Sequence, residues 1–317
     1  MKTRAIRIVC LWLLTAAAFH VRPEHVGAQA AESSENHAVE IVMKNVMYHF
    51  TDHIAVHIVQ LQGHLKPTKA GATVFFDDKN SFILAMASAE ISISSKSLAQ
   101  VLNDNVFSAS DAPIKDVSIE SKNNQLIIKG KLPQKAGVSF ETVGTISADP
   151  DGRIRLHTEH VKAAHVPVKG LLDTLGIDLD RLINTQNIHG VAVDKDDLLL
   201  DPQQILPPPR IQGKVTEVRV QGNEIIQVFG VKQPSNFAAK QPGNYIAFRH
   251  GEMRFGKLTM HDADLVLIDM DPGDPFDFLL DHYQEQLVAG YTKSTPEYGL
   301  RTYAKDYNKL RNRSPKK

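Results

Sequence analysis

Fourteen histidines and a run of C-terminal aspartates are the residues of this chain whose chemistry first suggests a function. His49, His53 and His57 recur every four residues. On a helix that spacing stacks them about 6 Å apart per step, close enough to share a metal. A strand also puts them on one face, but its rise of about 3.3 Å per residue sets neighbours about 13 Å apart. The β-branched residues between them favour the strand, so no metal site is expected. His157 and His160 have opposite parity on a second candidate strand, and His165 lies just beyond it.

Asp262, Asp264, Asp269, Asp271, Asp274 and Asp277 lack the central Gly and terminal Glu of an EF-hand loop. Turn-forming aspartate between short strands explains them more simply. A hydrolase using this Asp/His region is an alternative, and it predicts convergent carboxylates about 5–9 Å apart in a cleft. HExxH, CxxC, GxSxG, SxxK with its companion motifs, the Walker loop and the dinucleotide fingerprint are absent. Ser94-Ser95-Lys96-Ser97 reads as a helix N-cap. The expectation is a protein that is not an enzyme and has no cofactor or metal.

The chain opens with the pattern of a secretory leader, assigned to residues 1–30. Lys2, Arg4 and Arg7 precede an apolar run from Ile8 to Ala18, and Ala28-Gln29-Ala30 is a small-x-small cleavage site. At about 11 residues the apolar run falls short of the roughly 20 that span a bilayer. The single Cys10 lies inside the leader, so a chain cut after Ala30 has no disulfide and relies on its apolar core. Thirty-two basic against thirty-five acidic residues would remain, about −3, which gives no electrostatic case for nucleic acid. These features predict a periplasmic or extracellular location.

Residues 31–230 read as one α+β domain. Apolar alternation predicts strands around Val39–Tyr48 and His53–Gln60. From Ser81 to Ser94, Ile83, Ala85, Ala87, Ala89, Ile91 and Ile93 share one face, and the three alanines leave room opposite for a helix or ligand. The period then changes: Leu98, Val101, Leu102 and Val106 predict a short amphipathic helix over Ser95–Phe107. Asn123-Asn124 and Asp149-Pro150-Asp151-Gly152 mark hairpin turns. Pro167 starts a longer amphipathic helix, on which Val168, Leu171, Leu172, Leu175, Leu179, Leu182 and Ile183 form a wide stripe. Further strands end at Phe229. Residues 231–243 read as a linker. Residues 244–317 read as a small β-rich extension with a helix over Phe276–Ala289 and a basic tail.

The segments SKSLAQVLNDNVF (Ser95–Phe107), DVSIESKNNQLIIKGKL (Asp116–Leu132), VGTISADPDGRIRLHTEHVKAAHVPVKGLL (Val143–Leu172) and LPPPRIQGKVTEVRVQGNEIIQVFG (Leu206–Gly230) carry a family likeness. Over roughly residues 80–230 the chain resembles the LmeA-like secreted phospholipid-binding proteins, which have TULIP-like lipid-binding domains. That resemblance implies a strongly curved antiparallel sheet wrapped around an amphipathic helix, with acyl chains in the apolar seam and no catalytic residues.

The expected function is therefore binding, and carriage, of a lipid or other apolar envelope molecule, with peripheral membrane contact. Leu98, Val101, Leu102, Leu171, Leu172, Leu175 and Leu179 are the candidate lining residues. The main alternative is a structural or assembly protein of the envelope with a solid core.

Overall fold

The computed structural model describes residues 38–133, 137–163, 188–231 and 242–311. Among the described residues strand outweighs helix, 55% to 13%, in several sheets that neither close nor curve strongly, and none of these sheets wraps around a helix. The α+β expectation is corrected on that ground. Segments expected to be helical are short or extended here. The helix expected over 167–183, with Leu171, Leu172, Leu175 and Leu179, lies outside the described residues.

The largest sheet has eleven strands among the described residues. Its path runs Val215–Gln221, Glu224–Gly230, Phe82–Ser94, Ala55–Pro67, Val39–His49, Tyr245–Arg249, Asp264–Asp269, Leu300–Ala304 and Tyr291–Ser294. Two short strands lie off this path: Arg210–Gln212 pairs in parallel with Phe82–Ser94, and Phe276–Leu279 with Val39–His49. Five of the strands after residue 244 (Tyr245–Arg249, Asp264–Asp269, Phe276–Leu279, Tyr291–Ser294 and Leu300–Ala304) thus belong to the same sheet as Val39–His49, the first described strand.

A six-stranded sheet runs Lys115–Lys122, Gln125–Leu132, Val138–Ala148, Ile154–Ala163, Asp197–Leu200 and Val191–Asp194. Its first turn is Asn123-Asn124, with φ of 54° and 62°. Two left-handed residues in a two-residue loop match the right-handed twist of the strands they join, and asparagine tolerates that region. The Asp149 turn is held by its own carboxylate: Oδ1 accepts from the amides of Asp151 (2.9 Å) and Arg153 (2.8 Å), and Oδ2 from Arg153 Nε at 2.7 Å. Burial opposes ionisation of Asp149, but the Arg153 bonds and charge outweigh it and hold its pKa below the usual carboxylate range. The third sheet is small, formed by Leu258–Met260, Met253–Phe255 and Val74–Phe75.

The expected helix over Ser95–Phe107 divides. An α-helix covers Ser95–Val101 and a π-turn Leu102–Val106, and the Ser94 hydroxyl caps the start by accepting from Ser97 N at 3.0 Å. The Phe276–Ala289 expectation is corrected further: strand Phe276–Leu279, a 3-10 turn Leu280–His282, then helix Tyr283–Val288. Tyr245–Arg249 pairs with the first strand only over Glu40–Lys44, and Phe276–Leu279 takes up the edge beyond it, opposite Val46–His49. Exposed edge amides and carbonyls need partners, and that demand overrides the helical periodicity.

Candidate functional site

Three adjacent strands of the large sheet change the parity of their inward residues partway along. On Val39–His49, Ile41 and Met43 are followed by Val46 and Tyr48; on Ala55–Pro67, Val56 and Ile58 by Leu61 and Leu65. On Phe82–Ser94, Phe82, Leu84 and Met86 give way to Ala89, Ile91 and Ile93. Every one of these side chains is buried. The single face expected for Ile83, Ala85 and Ala87 together with Ile91 and Ile93 is therefore not continuous.

Irregularities cause the switch. The register between Ala55–Pro67 and Phe82–Ser94 shifts at Ile58/Gln60 and again at Gln62/Gly63, which leaves Val59 and Ala87 as extra residues. Asn45 falls opposite Val59, between the pairs Lys44↔Gln60 and Val46↔Ile58, and has φ of 51°. A bulge re-aims every side chain beyond it, so three neighbouring breaks keep the apolar face turned inward along the whole sheet.

That face lines a cavity. Its walls are the inward residues of these three strands, Val46 and Ala89 excepted, together with Phe50, Phe76, Phe229, Gln227, Leu206, Pro209 and Ile211. Empty space in it, mouth included, is about 650 Å³, and the part wide enough for the centre of a water molecule is about 40 Å³. At about 10–15 Å³ per water-sized sphere, the wide part has room for roughly three. Met43 and Met86, the flexible members of the wall, are the side chains able to widen it. Leu98 (5% exposed), Val101 (0%) and Leu102 (2%) are buried but do not line it. The parity change was the sequence signal that could have found the wall.

On the polar side a chain of hydrogen bonds fixes the break at Asn45. His57 Nε2 meets Asn45 Oδ1 at 2.7 Å, and Asn45 Nδ2 donates to Asn244 Oδ1 at 2.8 Å. Asn244 Nδ2 donates to Asp269 Oδ2 (2.9 Å) and to the Asp274 carbonyl (2.5 Å). Burial pushes the His57 pKa down, with Glu224 opposing.

The histidine and aspartate candidates are dispersed. His49 Nε2 lies 2.9 Å from Asp277 Oδ1, His57 is in the chain above, and His157 Nδ1 meets Asp197 Oδ1 at 2.7 Å. His165 lies outside the described residues. Asp264 pairs with Arg301 at 2.9 Å and Asp262 with His250 at 3.6 Å.

Asp271, Asp274 and Asp306 do converge, with one oxygen of each within 4.8 Å of the others. Lys309 Nζ stands at their centre and donates to Asp271 Oδ2 (2.6 Å), Asp306 Oδ2 (2.8 Å) and Asp274 Oδ1 (3.3 Å). An ammonium thus fills the place that a metal or a reacting water would need. Its bonds to Asp271 and Asp306 push the Lys309 pKa up, while burial raises those of Asp269 and Asp306 despite it.

Lys309→Met should therefore lower the melting temperature more at pH 8 than at pH 5. A carboxyl raised in the folded state contributes stability below its unfolded pKa and loses it as pH rises through the folded value. Removing the ammonium pushes Asp269 and Asp306 further up and steepens that loss. Equal losses at the two pH values would contradict this account.

Among family models, curated proteins and solved structures, nothing matches this chain.

Proposed function

We propose that this protein binds a long-chain lipid or similar apolar molecule in the cavity of the large sheet, outside the cytoplasm and without chemistry of its own. The observation that carries the reading is the cavity wall: aliphatic and aromatic side chains from five strands, with Gln227 and Tyr48 as the lining residues that carry polar side-chain groups. Lipid sites have this composition, apolar walls with a few polar groups to orient the ligand. Burial raises the Tyr48 pKa, with Asp281 adding to it, so the phenol stays neutral. The leader-like N-terminus and the absence of cysteine after Cys10 support the location.

One observation favours a second reading, a structural envelope protein with a solid core. The wide part of the cavity, about 40 Å³, is narrower than an acyl chain unless side chains move apart.

Mass spectrometry of a solvent extract of the purified protein separates the two. The proposed function predicts a long-chain molecule in the extract, or uptake of dispersed 1-hexadecanol by protein first stripped of it. Ile91→Phe, which adds volume to the wall, is expected to cut that uptake about tenfold with an unchanged circular dichroism spectrum. Protein that is empty as purified and takes up nothing would leave the solid-core reading.

A further inference from the structure

We propose that the cavity selects long-chain molecules carrying one neutral hydrogen-bonding group, and that the Gln227 amide is what binds that group. The proposal rests on the reading of the cavity as a binding site and names the class of ligand it takes. Gln227 is 8% exposed, on the inward side of Glu224–Gly230 between Ile225 (0%) and Phe229 (1%). In register it faces Ile91 on one neighbouring strand and Val218 on the other, both buried. Every positional rule asks for an aliphatic side chain there.

The side chain is an amide instead, with two N–H donors and an oxygen with two lone pairs. Among the described residues, nothing hydrogen-bonds to it. Its nitrogen and oxygen are not sealed off, so water can reach them while the place is empty of ligand, and leucine would fill it without needing a partner. Gln227 lines the cavity, so a molecule in the cavity can supply the partner.

The wall also says what the partner is not. Among the described residues, no Asp, Glu, Lys, Arg or His lines the cavity. An ionised headgroup inside would lose its water and meet no opposite charge. A hydroxyl, an ester or amide carbonyl, or a protonated carboxyl meets Gln227 without that penalty. Such a molecule lays its chain along Ile58, Leu61, Met86 and Ile93 and places its polar group beside Ile91.

The experiment uses the whole purified protein, stripped of bound material and equilibrated with a dispersed equimolar mixture of 1-hexadecanol and hexadecane. Retained ligands are quantified by gas chromatography after gel filtration. Relative to the wild type, Gln227→Leu should lower the retained alcohol-to-alkane ratio about tenfold, the effect of one hydrogen bond made in a dry site. Comparing ratios cancels the different solubilities of the two probes. Gln227→Met, unbranched and close in shape, is read in the same way and serves if the leucine variant does not fold. A ratio unchanged within about twofold, with both probes retained, overturns the proposal and leaves the amide with water alone, while the cavity stands as a binding site. Wild-type protein that retains neither probe overturns the binding site itself, and this proposal with it.

Discussion

Gln286→Leu is expected to lower the free energy of unfolding by roughly 3 to 5 kcal/mol, among the largest losses for one near-isosteric change in this chain. Gln286 is 0% exposed. Its Nε2 donates to the carbonyls of Asp277 and Lys305, each at 2.8 Å, and its Oε1 accepts from the amide of Leu279 at 3.1 Å. Leucine keeps the volume and leaves three backbone groups without partners, each worth about 1–3 kcal/mol when buried. These groups fix Phe276–Leu279, the strand that closes the far half of the Val39–His49 edge. Phe278 on that strand packs against Tyr48 and Phe76, with ring centres 6.2 Å and 6.3 Å away, so loosening it also disturbs the cavity wall. Urea unfolding followed by circular dichroism measures the loss. A value below about 1 kcal/mol would mean that water reaches these groups and that the glutamine is not a structural tie.

Nothing in the sequence marked Gln286 as special. In the expected Phe276–Ala289 helix it falls among polar neighbours, Gln284 and Glu285, and reads as part of a solvated face. Local pattern reports which residues can face water; it does not report which backbone groups a distant strand leaves unpaired. Where structure is decided within a few residues, the sequence was legible. Asn123-Asn124 and Asp149–Gly152 turn as their residue types require, and Ser94 caps its helix. The strand expected over Val39–Tyr48 forms as Val39–His49, whereas the one expected over His53–Gln60 starts at Ala55 and runs on to Pro67. Long-range decisions were not legible. Tyr245–Arg249 pairs with Val39–His49, the first described strand, across some two hundred residues, which no local signal carries. The cavity lies between these cases. Ile41 and Met43 followed by Val46 and Tyr48 is a visible skip in alternation, repeated on the next two strands. Taken as one unbroken face, the Ser81–Ser94 alternation put Ile83, Ala85 and Ala87 inside, whereas the bulge puts Leu84 and Met86 there.

Phe76→Ala is expected to cost roughly 3 to 5 kcal/mol, and part of that loss should return when a small apolar molecule is supplied. Phe76 is 1% exposed and forms the hub of the aromatic wall. Ring centres of Phe248, Phe255, Phe82 and Phe278 lie 4.7, 5.2, 5.9 and 6.3 Å from its own. Its amide donates to the Arg254 carbonyl at 2.8 Å, so the backbone is held in place when the ring is removed. Four fixed neighbours resist collapse, and the cost of such a truncation grows with the volume that stays empty. Since Phe76 already lines the cavity, the vacated space joins it. Benzene at about 100 times its dissociation constant would return about 2.7 kcal/mol to a state that binds it only when folded. The expected result is a large fall in melting temperature, partly reversed by benzene in the variant and little changed by it in the wild type. A loss under about 2 kcal/mol with no response to benzene would show that the neighbouring rings close over the gap. The cavity would then be a pliable gap in the packing, unable to hold a polar group at a fixed distance from Gln227, and Lys309→Met, remote from it, would keep its predicted pH dependence.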